Sequence, residues 1–287
     1  MSITNSGDWP DNFDFDKDAI CQRIFLPFIQ EHLDGMANLD QERIIEFERK
    51  KNSPEFKDKF APDEKLNYTF SDHLARVHDR ILDTADLLGI DKITAKNTAK
   101  AALLHDYGKL YQEMNLWIDT PEKSSGALKE KRRQHAKKGA KLIKEHITDN
   151  IDAFMADNPD LISEPEDILD HPFLSLTLDI AENHHEHMDG SGTLGKTADQ
   201  LSGPVKLVAI IESHDGYCVK RPHQPRARTP LEGFDHMVKK DGLFDPTYLH
   251  AFKNVLKQEE TCLKKPQQNS GFPDAGTSAT VHHHDHI

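Results

Sequence analysis

Between Asp72 and Gly89 the chain reads DHLARVHDRILDTADLLG, and this stretch limits the fold more than any other. Leu74, Val77, Ile81, Ala85 and Leu88 recur at three- and four-residue intervals. That spacing gathers them on one face and predicts a helix stopped by Gly89. A helix so two-sided needs other apolar faces to cover it. ITAKNTAKAALLH, KSSGALKEKRRQHAKKGAKLIKEHI and HPFLSLTLDIAENHHEH each offer one. GPVKLVAIIESHD is apolar enough for a buried strand or a buried helix, and periodicity alone does not decide. Its neighbours are helical and no partner strands are evident, so it is read as a buried helix. TPLEGFDHMVKKDGLFDPTYLHAFKNVLKQEE gives two more helices, with Gly242 and Pro246 between them. The expected class is all-α.

Other regions carry weaker patterns. Residues 1–16 read as a loose acidic lead, and 17–33 as helical with a kink at Pro27. The charged stretch 40–66 reads as linker or a solvated helical pair. Residues 148–170, acidic with two prolines, read as an irregular insert, and 266–287 as a disordered polar tail. The expected organisation is an acidic, helical N-terminal segment and linker (1–66), a main domain (67–263) and a His-rich tail (264–287). The first seventy residues are too short and polar for most signal-input modules. They read as a helical cap or a partner-docking segment.

The formal charge of -13 argues against an extended nucleic-acid partner, though a local basic pocket or a bound metal can still hold a small phosphorylated substrate. Cys21, Cys218 and Cys262 are far apart and form no paired motif, which fits a reducing cytosol. The acidic N-terminus lacks a basic-then-apolar signal pattern, and no apolar run approaches membrane-spanning length. The expectation is a soluble cytoplasmic protein.

Histidine is the anomaly, with 18 copies. Four lie in the terminal VHHHDHI. Others recur beside apolar helix faces: His73 in SDHLARV, His105 and Asp106 in LLHDYGK, His135 in RRQHAKKGAKLI, and His184 and His185 in ENHHEHMDG. AIIESHDGY adds Glu212 and Asp215. A lone histidine is more often structural than a ligand. Several of them, each on a helix that can bury one face, point to a metal site at a bundle centre. Neutral imidazoles and carboxylates suit Fe, Mn, Co, Ni or Zn, and a carboxylate can bridge two ions.

His73, then His105-Asp106, then a distant acid resembles the signature of HD-superfamily metal-dependent phosphohydrolases. The HD-GYP branch is similar at more points. H-L-A-R-V matches its first His with a following Arg-Val. His105, Asp106, Gly108 and Lys109 match HDxGK, and His135 with Gly139 matches HxxxG. His184, His185, Glu186, Asp189, Gly190 and Gly192 match HHExxDGxG. Glu212 and Asp215 followed by Arg221-Pro222-His223 resemble DxxD and RPY.

The resemblance implies an HD-domain helical bundle that holds two divalent metals, with Fe or Mn expected and Ni, Co or Zn also fitting. It implies His73, His105, Asp106 and Glu212 as ligands of one metal. Asp106 would bridge to a second, held also by His135, His184 and His185. A water activated between the metals would attack a phosphodiester in line. Cyclic di-GMP or a related cyclic nucleotide is the substrate implied. Lys109 is the expected phosphate contact beside the catalytic Asp106. Arg221, Asp189 and Gly190 would line the substrate site. The basic run from Lys129 to Lys144 reads as a solvated helix face, or as a funnel for an anionic substrate.

Three departures stand out. Thr193-Leu194-Gly195 replaces the Tyr-Pro of the branch, Glu212 replaces an Asp, and Thr69 occupies the position of a Glu that supports a third metal in some members. Two other readings use the same residues: a di-iron oxygenase, and a non-catalytic sensor of a cyclic dinucleotide. A homodimer or a signalling partner stays open.

Overall fold

The computed structural model describes residues 9, 13–57, 59–61, 63–120, 124–220 and 226–264. Among them are ten α-helices and no strand, only an isolated bridge between Asp189 and Thr197. Helix α1 (Leu26–Lys51) is followed by α2 (Phe70–Leu88) and α3 (Lys92–Ala102). Then come α4 (Gly126–Asp149), two short helices α5 (Ile151–Asp157) and α6 (Glu166–Leu169), and α7 (Pro172–Asn183). The last are α8 (Gly203–Cys218), α9 (Pro230–Met237) and α10 (Pro246–Lys264). The all-α expectation holds.

Local chemistry sets the helix ends. Thr69 caps α2 by accepting from the Asp72 amide, and Gly89 ends that helix at φ 72°, where a glycine escapes the Cβ clash. Asp91, Ser125 and Ser202 cap α3, α4 and α8 in the same way as Thr69. Thr229 and Glu232 form a capping box on α9.

The apolar face of α2 is covered as its spacing requires, with Leu74, Val77, Ile81, Ala85 and Leu88 all buried. Each of the leucine, valine and isoleucine side chains contributes roughly 1.5–3 kcal/mol on leaving water. Helix α2 packs on α1, α3, α8 and α10, and α4 packs on α7. The ambiguous segment is α8. Val205, Leu207, Val208, Ile210 and Ile211 are each 0% exposed, so it is apolar on all sides of its first turns and shows no stripe.

Three sequence expectations are corrected. Helix α1 runs unbroken to Lys51; it continues directly from a π-helical turn (Cys21–Phe25), so the expected irregularity at Pro27 is present as that turn just before it. The stretch 40–51 is therefore helix and not linker. Residues 151–157 and 166–169 are helical inside the supposed irregular insert. In the supposed loose lead, Phe15 is 1% exposed and packs in the main core with Phe25 and Phe173. The expected tail, from residue 265 on, lies outside the described residues.

Candidate metal centre

Five helices bring side chains to one buried region. His73 comes from the first turn of α2, and His105 and Asp106 from the turn that leaves α3. His135 lies in the middle of α4, His184 and His185 just past α7, and Glu212 on α8. Two close approaches hold these pieces together. A Cβ on Gly108 would lie 2.2 Å from the His135 carbonyl oxygen, and one on Gly139 would lie 2.9 Å from the Gly108 amide. No side chain fits at either position, which brings Asp106 and His135 into contact.

The ligand atoms form two groups, His73–His105–Asp106 and His135–His184–His185, each with its atoms within 4.8 Å of one another. Asp106 touches both. Its Oδ2 is 3.5 Å from His73 Nε2 and 3.4 Å from His105 Nε2, and its Oδ1 is 2.9 Å from His135 Nε2. His73, His105, Asp106 and His184 are 0% exposed. Glu212 stands apart from the first group. Its Oε2 is 3.7 Å from His185 Nδ1, so it approaches the second group.

The tautomers can be read from the outer nitrogens. His105 Nδ1 donates to the Ala102 carbonyl at 2.6 Å, and His135 Nδ1 to the Arg132 carbonyl at 2.7 Å. His184 Nδ1 donates to the Ala181 carbonyl at 3.0 Å. His73 Nδ1 donates to Asp215 Oδ2 at 2.8 Å. A neutral ring with its proton on Nδ1 has a bare lone pair on Nε2. Yet His73 Nε2 faces His105 Nε2 at 3.2 Å, and His135 Nε2 faces His184 Nε2 at 3.1 Å. Lone pair meets lone pair, and the Asp106 carboxylate faces both sets.

At one ring of each pair, burial works against the proton. Burial pushes His105 down to about 3 and His184 and His185 well below the ordinary imidazole value. Burial alone would raise Asp106, but His105, Lys109 and His135 outweigh it and hold the carboxyl well below its usual range. The donor set thus fits divalent cations, which take neutral imidazole and carboxylate together. Glu212 differs: burial, its largest influence, pushes it up to about 7.

Asp215 supports His73 from behind. Arg76 grips it with two bonds, at 2.7 and 2.9 Å, and the carboxylate is 2% exposed. Burial would raise it, but Arg76 and His73 outweigh that and hold it well below the carboxylate range. Carboxylates behind a ligand histidine fix its ring and raise its basicity.

A cavity of about 420 Å³ opens beside the second group. His135, His185, Glu212 and Lys109 reach it, and Trp117, Phe70 and Phe244 wall it. Lys109 is 4% exposed. Its Nζ donates to Asp106 Oδ2 at 2.5 Å and lies over the Phe70 and Trp117 rings at 4.6 and 4.9 Å.

The other expected substrate residues fall differently. Asp189 and Gly190 belong to a turn outside the cavity lining: Asp189 accepts from the Ser191 amide at 2.9 Å and from Lys240 Nζ at 3.1 Å, and Gly190 has φ 75°. Arg221, with the whole RPH stretch, lies outside the described residues. Glu186 organises the loop that replaces Tyr-Pro. It is 1% exposed, and its two oxygens accept from the amides of Leu194 (2.6 Å) and Lys196 (2.9 Å).

Sequence reading missed Arg43 and favoured a core or surface role for Trp117 over the pocket mouth, where it lies. Arg43, on α1 and 1% exposed, donates to Asp40 (2.8 Å) and to the carbonyls of Tyr68 and Trp117 (both 3.2 Å). Asp40 in turn accepts from the Phe70 and Ser71 amides at the start of α2. The signal was there: Phe28, His32, Met36, Asp40, Arg43 and Phe47 are the buried positions of α1, at helical spacing. Polar members hid it.

The bundle thus brings two histidine-rich groups together at one buried carboxylate, Asp106. The chain belongs to the HD domain family, which matches residues 70–217. Over 83 residues it is 28% identical to the cyclic di-GMP phosphodiesterase PA4108 of Pseudomonas aeruginosa, a stretch covering 29% of this chain and 20% of that protein. It is also similar to Bd1817, an HDG"Y"P protein from Bdellovibrio bacteriovorus, with a TM-score of 0.49 and 19% identity, covering 66% of this chain and 53% of that one. The chain therefore matches a fifth of the first relative and about half of the second. Among the described residues no helix is long and apolar enough to cross a membrane.

Proposed function

We propose that the protein is a metal-dependent phosphodiesterase of the HD-GYP-like branch, acting on cyclic di-GMP or a related cyclic dinucleotide. One observation carries the reading: the Nε2 atoms of His73, His105 and His135 turn on one shared carboxylate, Asp106, and His184 Nε2 faces His135 Nε2 beside it, while the Nδ1 of each ring is bonded elsewhere. His73, His105 and Asp106 would hold one divalent ion, and Asp106, His135, His184 and His185 the other, with Glu212 beside His185. Bound there, such ions supply positive charge for phosphoryl oxygens and acidify water near neutral pH.

The chain's own groups do the rest. Lys109 keeps Asp106 ionised and oriented, and its remaining N–H bonds face the cavity, where a phosphoryl oxygen would take them. The Phe70 and Trp117 rings around its ammonium exclude water, which strengthens that contact. Glu212, held near neutrality by burial, can exchange a proton at Oε2 with a group in the cavity.

Protein loaded with Mn or Fe is expected to hydrolyse bis(p-nitrophenyl) phosphate and cyclic di-GMP, and Asp106→Ala to lose both. Absence of metal-dependent turnover on any phosphoester would remove the reading. Tight nucleotide binding without turnover would make the protein a sensor instead.

A further inference from the structure

The cavity beside the second group carries charge that the metal centre leaves unused. Its lining holds the cations Arg43, Lys109, Lys129, Arg132 and Arg133, and the acids Asp119 and Glu212. Three of the cations are committed. Arg43 holds Asp40 and two backbone carbonyls, and Lys109 holds Asp106. Arg132 donates to the Leu116 carbonyl and the Ser124 hydroxyl. Lys129 and Arg133 have no carboxylate partner among the described residues.

These two stand four residues apart on α4, so their heads share one face, where like charges repel. An anion between them would relieve that repulsion. His135 lies two residues past Arg133, about 200° further round the helix. Both nonetheless line the same cavity. On a chain with formal charge -13, two basic side chains without a carboxylate partner among the described residues, both lining this cavity, concentrate positive charge there.

We infer that Lys129 and Arg133 form a second anion subsite, which holds a phosphoryl group of the substrate other than the one attacked. The substrate class is then a phosphodiester that carries a further phosphoryl group, as a dinucleotide does. The inference rests on the phosphodiesterase reading above. It assigns selectivity to residues outside the metal-ligand motifs.

The test compares metal-loaded wild type with the Lys129→Ala/Arg133→Ala double variant on two substrates. Cyclic di-GMP has two phosphoryl groups and bis(p-nitrophenyl) phosphate has one. The ratio of their kcat/KM values is expected to fall at least about tenfold, the effect of losing one charge-assisted hydrogen bond, with KM for cyclic di-GMP carrying the change. Arg133→Lys in the Lys129→Ala background should restore part of it. Equal losses on both substrates overturn the subsite. If wild type turns over neither compound, the hydrolase reading fails, and calorimetric binding of cyclic di-GMP to the two proteins decides the subsite alone: equal affinity overturns it, and weaker binding by the variant supports it. Both positions are at least partly exposed, so the variant should keep the thermal midpoint of the wild type.

Discussion

Gly108 and Gly139 meet backbone to backbone, the Gly108 Cβ position falling 2.8 Å from the Gly139 amide nitrogen. One glycine follows the His105-Asp106 pair and the other follows His135. Their contact sets the distance between Asp106 and His135. An alanine inside a helix usually stabilises by roughly 0.5–1 kcal/mol relative to glycine. Here the sign should reverse. Gly139→Ala is expected to destabilise by about 1–3 kcal/mol through overpacking and to lower the bound metal per chain. Thermal unfolding and metal analysis read the two effects. Gly108→Ala should be worse, because its clash is with the His135 carbonyl.

Asp215 touches His73 through Nδ1 and so acts on the metal centre at one remove. Asp215→Asn keeps the shape and removes the charge. Metal affinity measured by chelator competition should weaken about 10- to 100-fold, while the helical content of the protein is unchanged. Wild-type affinity in this variant would show that the His73 ring needs no such support.

Glu186 bonds two backbone amides with two oxygens. In Glu186→Gln only one of them remains an acceptor, so one buried amide loses its partner, at a cost of about 1–3 kcal/mol. Limited proteolysis should then cut between residues 191 and 196, a stretch the wild-type protein protects.

His32 gives the fold a pH dependence. The ring is 0% exposed against Tyr107, and neither of its nitrogens has a hydrogen-bond partner among the described residues. Burial pushes it down to about 4, and burial, with Arg80 adding to it, does the same to His214. An unfolded histidine titrates near about 6.5. Above that value both states are neutral and the stability is complete. As pH falls from about 6.5 toward about 4, the unfolded state binds protons that the folded state refuses, and stability is lost. Urea midpoints at about pH 7.5 and about pH 5, taken with chelator in both arms, should show the drop. His32→Leu should shrink it.

Helix α2, the His-bearing helices and the ligand motifs were legible because each is local: a spacing, a cap, a short run of residues. Three things were not local. The α1 helix hides its buried face behind Asp40 and Arg43, polar residues whose partners lie at the start of α2 and beyond Trp117. Residues 203–211 show no stripe because all of them except Lys206 are buried. Glu212 shares a motif with Asp215, yet one points toward His185 and the other carries His73, a division made by the rotation of α8. Sequence spacing names such residues without saying which neighbour each will meet.

His105, His135 and His184 take their orientation from main-chain carbonyls three residues earlier. Every amino acid supplies that carbonyl. The rings are thus anchored to something substitution cannot delete, short of breaking the helix. Neighbouring side chains can drift, and the cavity wall can be rewritten for a new ligand, while the coordination chemistry stays in register. Such a centre is insulated from its surroundings, and one bundle can serve many substrates without rebuilding its core.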